Sequence, residues 1–326
     1  MGFAVDVRNL AKRYGNIVAL DNVSFNVNQG EVFGFLGPNG AGKTTTIRLL
    51  TGQIKPTSGV AAVAGYDVIQ ESTKAKTHIG VVPEVSNLYD EMDAWDNLIF
   101  AAELYRVPKN ERDKKAKELL ELFGLYERRM NRVGTFSRGM KRRLTIAAAL
   151  IHKPDILFLD EPTTGLDVQS SRTIRNLIKE LNNKGTTVFL TTHYIEEADQ
   201  LCQRVAIINQ GRIATVGAPE KLKASIEQHQ IIDISFSAAE NLEHKLADIN
   251  YVSKVLQVGD KFRLYVERTS QVIPLLVDFA KENDLEIISI NTLRPSLEDA
   301  FVEITGIAAE AMAREKEQAK RGGNLG

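Results

Sequence analysis

Two short segments carry the side chains best suited to chemistry. Gly37-Pro38-Asn39-Gly40-Ala41-Gly42-Lys43-Thr44 has the spacing of a phosphate-binding loop, and Thr45 continues it into a helical stretch. Glycines let backbone N–H groups converge on phosphate oxygens with no side chain in the way. The helix that follows adds the positive end of its dipole. In this pattern Lys43 reaches the β- and γ-phosphates of a nucleoside triphosphate, and Thr44 sets its hydroxyl on Mg²⁺. The second segment, Ile156-Leu157-Phe158-Leu159-Asp160-Glu161, is an apolar run that ends in two carboxylates. Asp160 is suited to hold Mg²⁺, directly or through water, and Glu161 to polarise an attacking water.

These groups need a scaffold that brings them to one place. Short apolar runs at 31–37, 78–84, 155–161, 186–193 and 204–210 alternate with helical stretches such as KTTTIRLLTG and SRTIRNLIKELNNKG. That alternation predicts an α/β fold, a parallel sheet covered on both faces. Open sheets of this kind bind ligands outside the carboxyl ends of their strands, so the phosphate loop and the carboxylates are expected at one edge. Val23, Phe25 and Val27 alternate with polar residues and predict a half-exposed antiparallel strand. Residues from about 85 to 150 are mostly helical, with Leu119, Leu120, Leu122 and Phe123 opposite a charged face. They form a helical subdomain within a nucleotide-binding domain spanning 1–228. Ser137 is suited to cap a helix and aim its N-terminus outward, and the run Lys141-Arg142-Arg143 reads in part as a solvated helix face. After 228 the order becomes β-α-β-β-α-β, a ferredoxin-like α+β domain over 229–306. The stretch 307–326 is charged and ends in Gly-rich sequence, predicting a frayed helix and a disordered tail.

Composition narrows the classes. The 326 residues leave room for two domains, and 41 Lys+Arg against 42 Asp+Glu argue against a nucleic-acid groove. The single cysteine, Cys202, excludes an intramolecular disulfide framework, fits a reducing cytosol and reads as a small buried apolar residue. No apolar run reaches the roughly 18 residues of a membrane span, and the N-terminus lacks the pattern of a secretory signal. Asp6 stands where a myristoylation motif has Ser or Thr. Any membrane role is therefore expected to come through a partner.

With these motifs in place, residues 3–220 resemble the nucleotide-binding subunit of an ATP-binding cassette (ABC) transporter. The resemblance implies a P-loop cassette with an antiparallel N-terminal sheet, ATP and Mg²⁺ as cofactors, and ATP hydrolysis as the activity. It implies that Tyr14 stacks on adenine and that His193, in Thr-Thr-His, contacts the γ-phosphate. Asp167, in Thr-Gly-Leu-Asp, lies in the loop that touches a second subunit. Ser137-Arg138-Gly139-Met140 occupies the family signature, usually Leu-Ser-Gly-Gly-Gln. The partner implied is a second ABC ATPase subunit, expected to be an identical copy, whose Ser137 helix completes the site in trans. ATP closes the pair, and hydrolysis by Glu161 lets it reopen.

Two departures from the family pattern carry information. Val82-Pro83-Glu84 stands where Gln is common, so Glu84 can ligate Mg²⁺ while adding a negative charge beside the phosphates. Arg138 replaces a flexible glycine with a cation. Both features, with Arg294-Pro295-Ser296-Leu297-Glu298-Asp299-Ala300-Phe301, resemble the daunorubicin-resistance type of exporter ATPase. That resemblance implies separate ABC-2-type membrane subunits and a peripheral place on the cytoplasmic face of the membrane. Cassette ATPases acting on ribosomes or DNA typically carry two cassettes or a long coiled coil and a basic surface. One cassette and balanced charge disfavour that class, and no nucleic-acid partner is expected. The 229–306 domain is expected to support the dimer or dock on the membrane partner, with no metal-ligand spacing in it.

Overall fold

The computed structural model describes residues 2–225, 230–237, 242–293 and 295–306. The expected boundary at 228/229, Arg294 and the tail 307–326 lie outside the described residues. The chain divides into two compact units, Met1–Pro219 and Glu220–Ala309.

The first unit opens with β1 (Val5–Tyr14), β2 (Ile17–Val27), β3 (Val32–Leu36), α1 (Lys43–Leu50), β4 (Ser58–Val63), β5 (Tyr66–Asp67), α2 (Ser72–Thr77) and β6 (Ile79–Val82). A helical stretch follows: α3 (Ala94–Leu104), α4 (Lys109–Leu122) and α5 (Arg138–Leu150). The unit closes with β7 (Ile156–Asp160), α6 (Val168–Asn183), β8 (Thr187–Thr192), α7 (Ile195–Leu201), β9 (Arg204–Asn209) and β10 (Arg212–Gly217). The helix α8 (Pro219–Ser225) starts at the unit boundary.

The larger sheet runs β10-β9-β3-β8-β7-β6. Its five strands from β9 to β6 are parallel, and β10 adds an antiparallel edge. Every residue of β3, β7 and β8 is buried, which is why these strands read as continuous apolar runs instead of alternating ones. The second sheet, β2-β1-β4-β5, is antiparallel. Its Val23, Phe25 and Val27 are buried as the alternation predicts. Phe25 packs against Phe33, Phe35 and Phe189 with ring centroids 5.4–6.0 Å apart, joining the two sheets in one core. In α4 the apolar face is narrower than the sequence suggests: Leu120 and Phe123 are buried, whereas Leu119 and Leu122 are half-exposed.

The second unit comprises β11 (Gln230–Phe236), α9 (Glu243–Ala247), β12 (Val252–Val258), β13 (Lys261–Val266), α10 (Thr269–Glu282), β14 (Ile287–Leu293) and α11 (Leu297–Thr305). Its sheet order is β12-β13-β11-β14, all antiparallel, the ferredoxin-like arrangement. Gly259-Asp260 make the two-residue turn between β12 and β13. Ser296 caps α11 in a capping box with Asp299. Asp299 also accepts from Tyr265 Oη at 2.9 Å, and Arg263 donates to both oxygens of Asp233 at 2.9 and 3.0 Å.

Candidate active site

The phosphate-type loop occupies the turn between the end of β3 and the start of α1, as its sequence context requires. Gly40 and Gly42 have φ of 76° and 106°, values at which a side chain is strained. A Cβ at Gly42 would also meet the Ala19 carbonyl oxygen at 2.6 Å, so this turn needs glycine for space as well. The Gly37 N–H donates to the Thr192 carbonyl at 3.3 Å, which ties the loop to the end of β8. Lys43 heads α1 and is only 6% exposed. Its ammonium donates to the Gly37 and Pro38 carbonyls at 2.8 and 3.1 Å and lies 3.2 Å from Glu161 Oε1.

The two carboxylates stand at the end of β7, two strands away from β3, with β8 between them. Asp160 Oδ1 accepts from Thr191 at 2.6 Å and from Thr44 at 3.4 Å, so the motif Thr and the motif Asp share one spot. Glu161 is 6% exposed and has φ of 48°, a left-handed conformation rarely adopted by a residue with a side chain. Its N–H is held by the Thr191 carbonyl and hydroxyl at 3.2 and 3.1 Å. Its Oε2 accepts from His193 Nδ1 at 2.7 Å and from Thr164 Oγ1 at 3.1 Å. Burial alone would raise the Glu161 carboxyl, but hydrogen bonding from His193 and the Lys43 charge outweigh it and hold the group below its usual range. The result is an ionised carboxylate on the wall of a cavity, fixed between two cationic-capable side chains.

That cavity measures about 750 Å³ and is lined by Asn39, Gly40, Gly42, Lys43, Thr44, Thr45, Glu84, Arg138, Glu161, Asp167 and His193, among others. Ile17, Val18 and Ala19 also line it. Tyr14 is not part of the lining: it is 45% exposed at the end of β1, pairs with Ile17 across the hairpin, and has Lys12 Nζ 5.0 Å from its ring centre. Ser137 caps α5 by accepting from the Met140 N–H at 3.2 Å, and both Ser137 and Arg138 are exposed. Gly139 is buried against α6, where a Cβ would collide with the Ser170 hydroxyl. Asp167 caps α6, and the Ser170 N–H and hydroxyl hold its carboxyl below the ordinary value.

The run 141–143, read from sequence as solvated in part, has a buried centre, Arg142, which is only 7% exposed. Consecutive helical residues are turned by about 100°, so three in a row cannot all face water. Lys141 pairs with Asp90 at 2.7 Å, Arg143 donates to the Phe123 carbonyl at 2.7 Å, and Arg142 points inward. Thr164 and Thr191 were also missed. Both are plain threonines in sequence, and only the carboxylates they touch mark them.

Among the described residues, no group of three or more His, Cys, Asp or Glu is placed to hold a metal. The oxygens of Thr44 and Asp160, adjacent at 3.4 Å, are hard donors that fit Mg²⁺ when phosphate oxygens complete the set. Glu84 lines the same cavity and offers a further carboxylate. No helix among the described residues is long and apolar enough to cross a membrane.

Comparisons with known proteins identify the family. Residues 20–164 match the family described as ABC transporter, and residues 217–305 match the family described as ATP-binding protein DrrA1-3-like, C-terminal domain. The chain is 38% identical over 306 residues to the linearmycin resistance ATP-binding protein LnrL of Bacillus subtilis (strain 168), covering 93% of this chain and 98% of that protein. It is 36% identical over 305 residues to the daunorubicin resistance ATP-binding protein DrrA3 of Streptomyces coeruleorubidus, covering 93% and 96%. Among solved structures, the ATP-binding cassette MJ0796, a dimer in a post-hydrolysis state bound to ADP and Pi, superposes with a TM-score of 0.59 at 32% identity. That similarity covers 66% of this chain and 98% of the solved one.

Proposed function

The chain belongs to the ABC transporter family as an ATP-binding, ATP-hydrolysing subunit with a DrrA1-3-like C-terminal domain, and on that premise we propose that it powers an exporter with Glu161 as general base. The observation that carries the reading is the buried Glu161 carboxylate, ionised and held between Lys43 and His193 on the wall of the cavity. A base must be deprotonated before it can polarise water, and the lowered carboxyl of Glu161 supports that role. In the reaction, water attacks the γ-phosphorus while Glu161 orients it and takes up its proton, and the bond from the γ-phosphorus to the β–γ bridging oxygen breaks so that ADP leaves with that oxygen. Lys43 swings from the carboxylate to the β- and γ-phosphates, and His193 contacts the γ-phosphate. Thr44 and Asp160 would hold Mg²⁺, and Glu84, in the same cavity lining, would offer a further carboxylate. When bound, the ion neutralises charge on the phosphate oxygens.

The capped helix α5 presents Ser137, Arg138, Gly139 and Met140 to the nucleotide of a second copy, and Asp167 meets the same partner. Exposure of Ser137 and Arg138 on a single chain supports this reading, as does the dimeric state of the MJ0796 relative. The adenine is expected on the Tyr14 hairpin, either on that ring or against Ile17 and Val18. Resistance to linearmycin and daunorubicin in the named relatives supports export through separate ABC-2-type membrane subunits. The subunit would then sit peripherally on the cytoplasmic face of the membrane, with the C-terminal unit supporting the dimer or docking on the membrane partner. The test is hydrolysis of Mg-ATP by the full chain. Glu161→Gln is expected to lower turnover by roughly 10² to 10⁴, the scale of losing a general base. Unchanged turnover would remove the assigned role.

A further inference from the structure

Arg142 sits one turn into α5, the helix that Ser137 heads, and its guanidinium is buried against two separate segments, 83–84 and 160–162. Nε donates to the Pro162 carbonyl at 2.8 Å. Nη2 donates to the carbonyls of Asp160 and Glu161 at 2.9 and 2.6 Å. Nη1 donates to the carbonyls of Pro83 and Glu84 at 2.5 and 3.4 Å. A guanidinium has five N–H donors in a rigid planar fork, and here five backbone oxygens receive from it.

We propose that Arg142 is a positioning residue that fixes the backbone of the Glu161 turn relative to the Glu84 loop and the Ser137 helix, so that movement of one is felt by the others. Two features favour this over plain packing. First, every partner is a main-chain carbonyl of a residue at or next to a site group. The bonds therefore set where Asp160, Glu161 and Glu84 stand without occupying their carboxylates. Second, Glu161 holds an unfavourable left-handed backbone, and such a conformation persists only when its surroundings over-determine it. Arg142 restrains the carbonyl side of that residue, while Thr191 restrains its N–H. Burial pulls the guanidinium below its usual value, while Asp160, Glu84, Glu197 and Glu161 favour its charged form.

The proposal rests on Glu161 acting as base, and the test separates the two. Arg142→Lys keeps the charge but offers three donors from a point, and Arg142→Gln offers two. Both are made in the full chain and in the Glu161→Gln background. Single-turnover phosphate release, ATP affinity and thermal melting are measured for each. Misplacing a reacting group by about 1 Å costs on the order of 10² in rate, so both variants are expected to lose about that factor in kcat. ATP affinity should change by less than about threefold, because the phosphate loop and Lys43 are untouched. In the Glu161→Gln background the same changes should cost little more, since the group they aim is already gone. A loss that multiplies fully with that of Glu161→Gln overturns the proposal, as does a variant of wild-type kcat or one that loses affinity in step with rate. If only Arg142→Gln fails to fold, Arg142→Lys alone decides. Should Glu161→Gln itself leave turnover intact, the base assignment falls first, and a retained Arg142 effect would then refute its action through Glu161.

Discussion

Removing the Glu161 charge is expected to tighten ATP binding while it stops hydrolysis. Lys43 Nζ lies 3.2 Å from Glu161 Oε1 and is engaged before any triphosphate arrives. Phosphate must compete for that ammonium. Two unit charges at 3.2 Å attract by on the order of 5 kcal/mol at an effective dielectric of 20, and by about 1.3 kcal/mol in bulk water. Desolvation of a buried pair offsets most of the larger figure, leaving a net coupling of about 1–2 kcal/mol. Glu161→Gln frees Lys43 of that competitor and removes a negative charge facing the γ-phosphate. ATP affinity should therefore rise about 5- to 30-fold, since about 1.4 kcal/mol is tenfold. The assay is calorimetric titration of the full chain at fixed Mg²⁺ and ionic strength, using a non-hydrolysable ATP analogue for both proteins. Lys43→Met serves as the control and should bind weakly with either residue at 161. Equal or weaker binding by the Gln variant would refute the claim that this ion pair opposes the phosphates.

Three other outcomes are expected. Burial raises the Glu161 carboxyl, but hydrogen bonding from His193 and the Lys43 charge outweigh it and hold the group below its usual range, so its ionised form contributes stability that is fully present above that range. That contribution is lost as pH falls through the lowered folded value, so urea melts should show the wild type losing ground to Glu161→Gln only on acidification below the usual carboxylate range. In Gly37→Ala the new methyl would collide with the Ile208 carbonyl oxygen, costing about 1–3 kcal/mol in a urea melt and weakening ATP binding. Glu84→Ala should raise the Mg²⁺ concentration needed for half-maximal hydrolysis or weaken stimulation by the membrane partner. Both measurements unchanged would strip Glu84 of either role.

The parts of this molecule that could be read from sequence are those whose signal is local. A glycine pattern between an apolar run and a helix, or two carboxylates closing a strand, is complete within eight residues, and the fold places both at one sheet edge. The ferredoxin-like order was legible for the same reason: its turn at Gly259-Asp260 and its alternating strands are short-range features. What sequence hid depends on partners far along the chain. Arg142 lies in a basic run whose texture suggests solvent, yet its acceptors are about sixty residues before it and twenty after it. The left-handed turn at Glu161 shows no glycine, because the strain is held by Thr191 and Arg142 instead of being relieved by residue type. Tyr14 has the right type and place in the text, while Ile17 and Val18, which no motif marks, are the hairpin residues that line the cavity.

The strand β8 has a consequence beyond its own burial. It lies between β3 and β7, with Thr192 holding Gly37 on one side and Thr191 holding Asp160 on the other. The span from cradle to carboxylates is thus two strand spacings, about 10 Å, a length dictated by peptide hydrogen bonding and not by any side chain. This strand works as a ruler. Deleting one residue from the turn before Thr187 would shift its register and turn Thr191 to the opposite face. Both motifs would survive letter for letter, and the distance between them would no longer be kept.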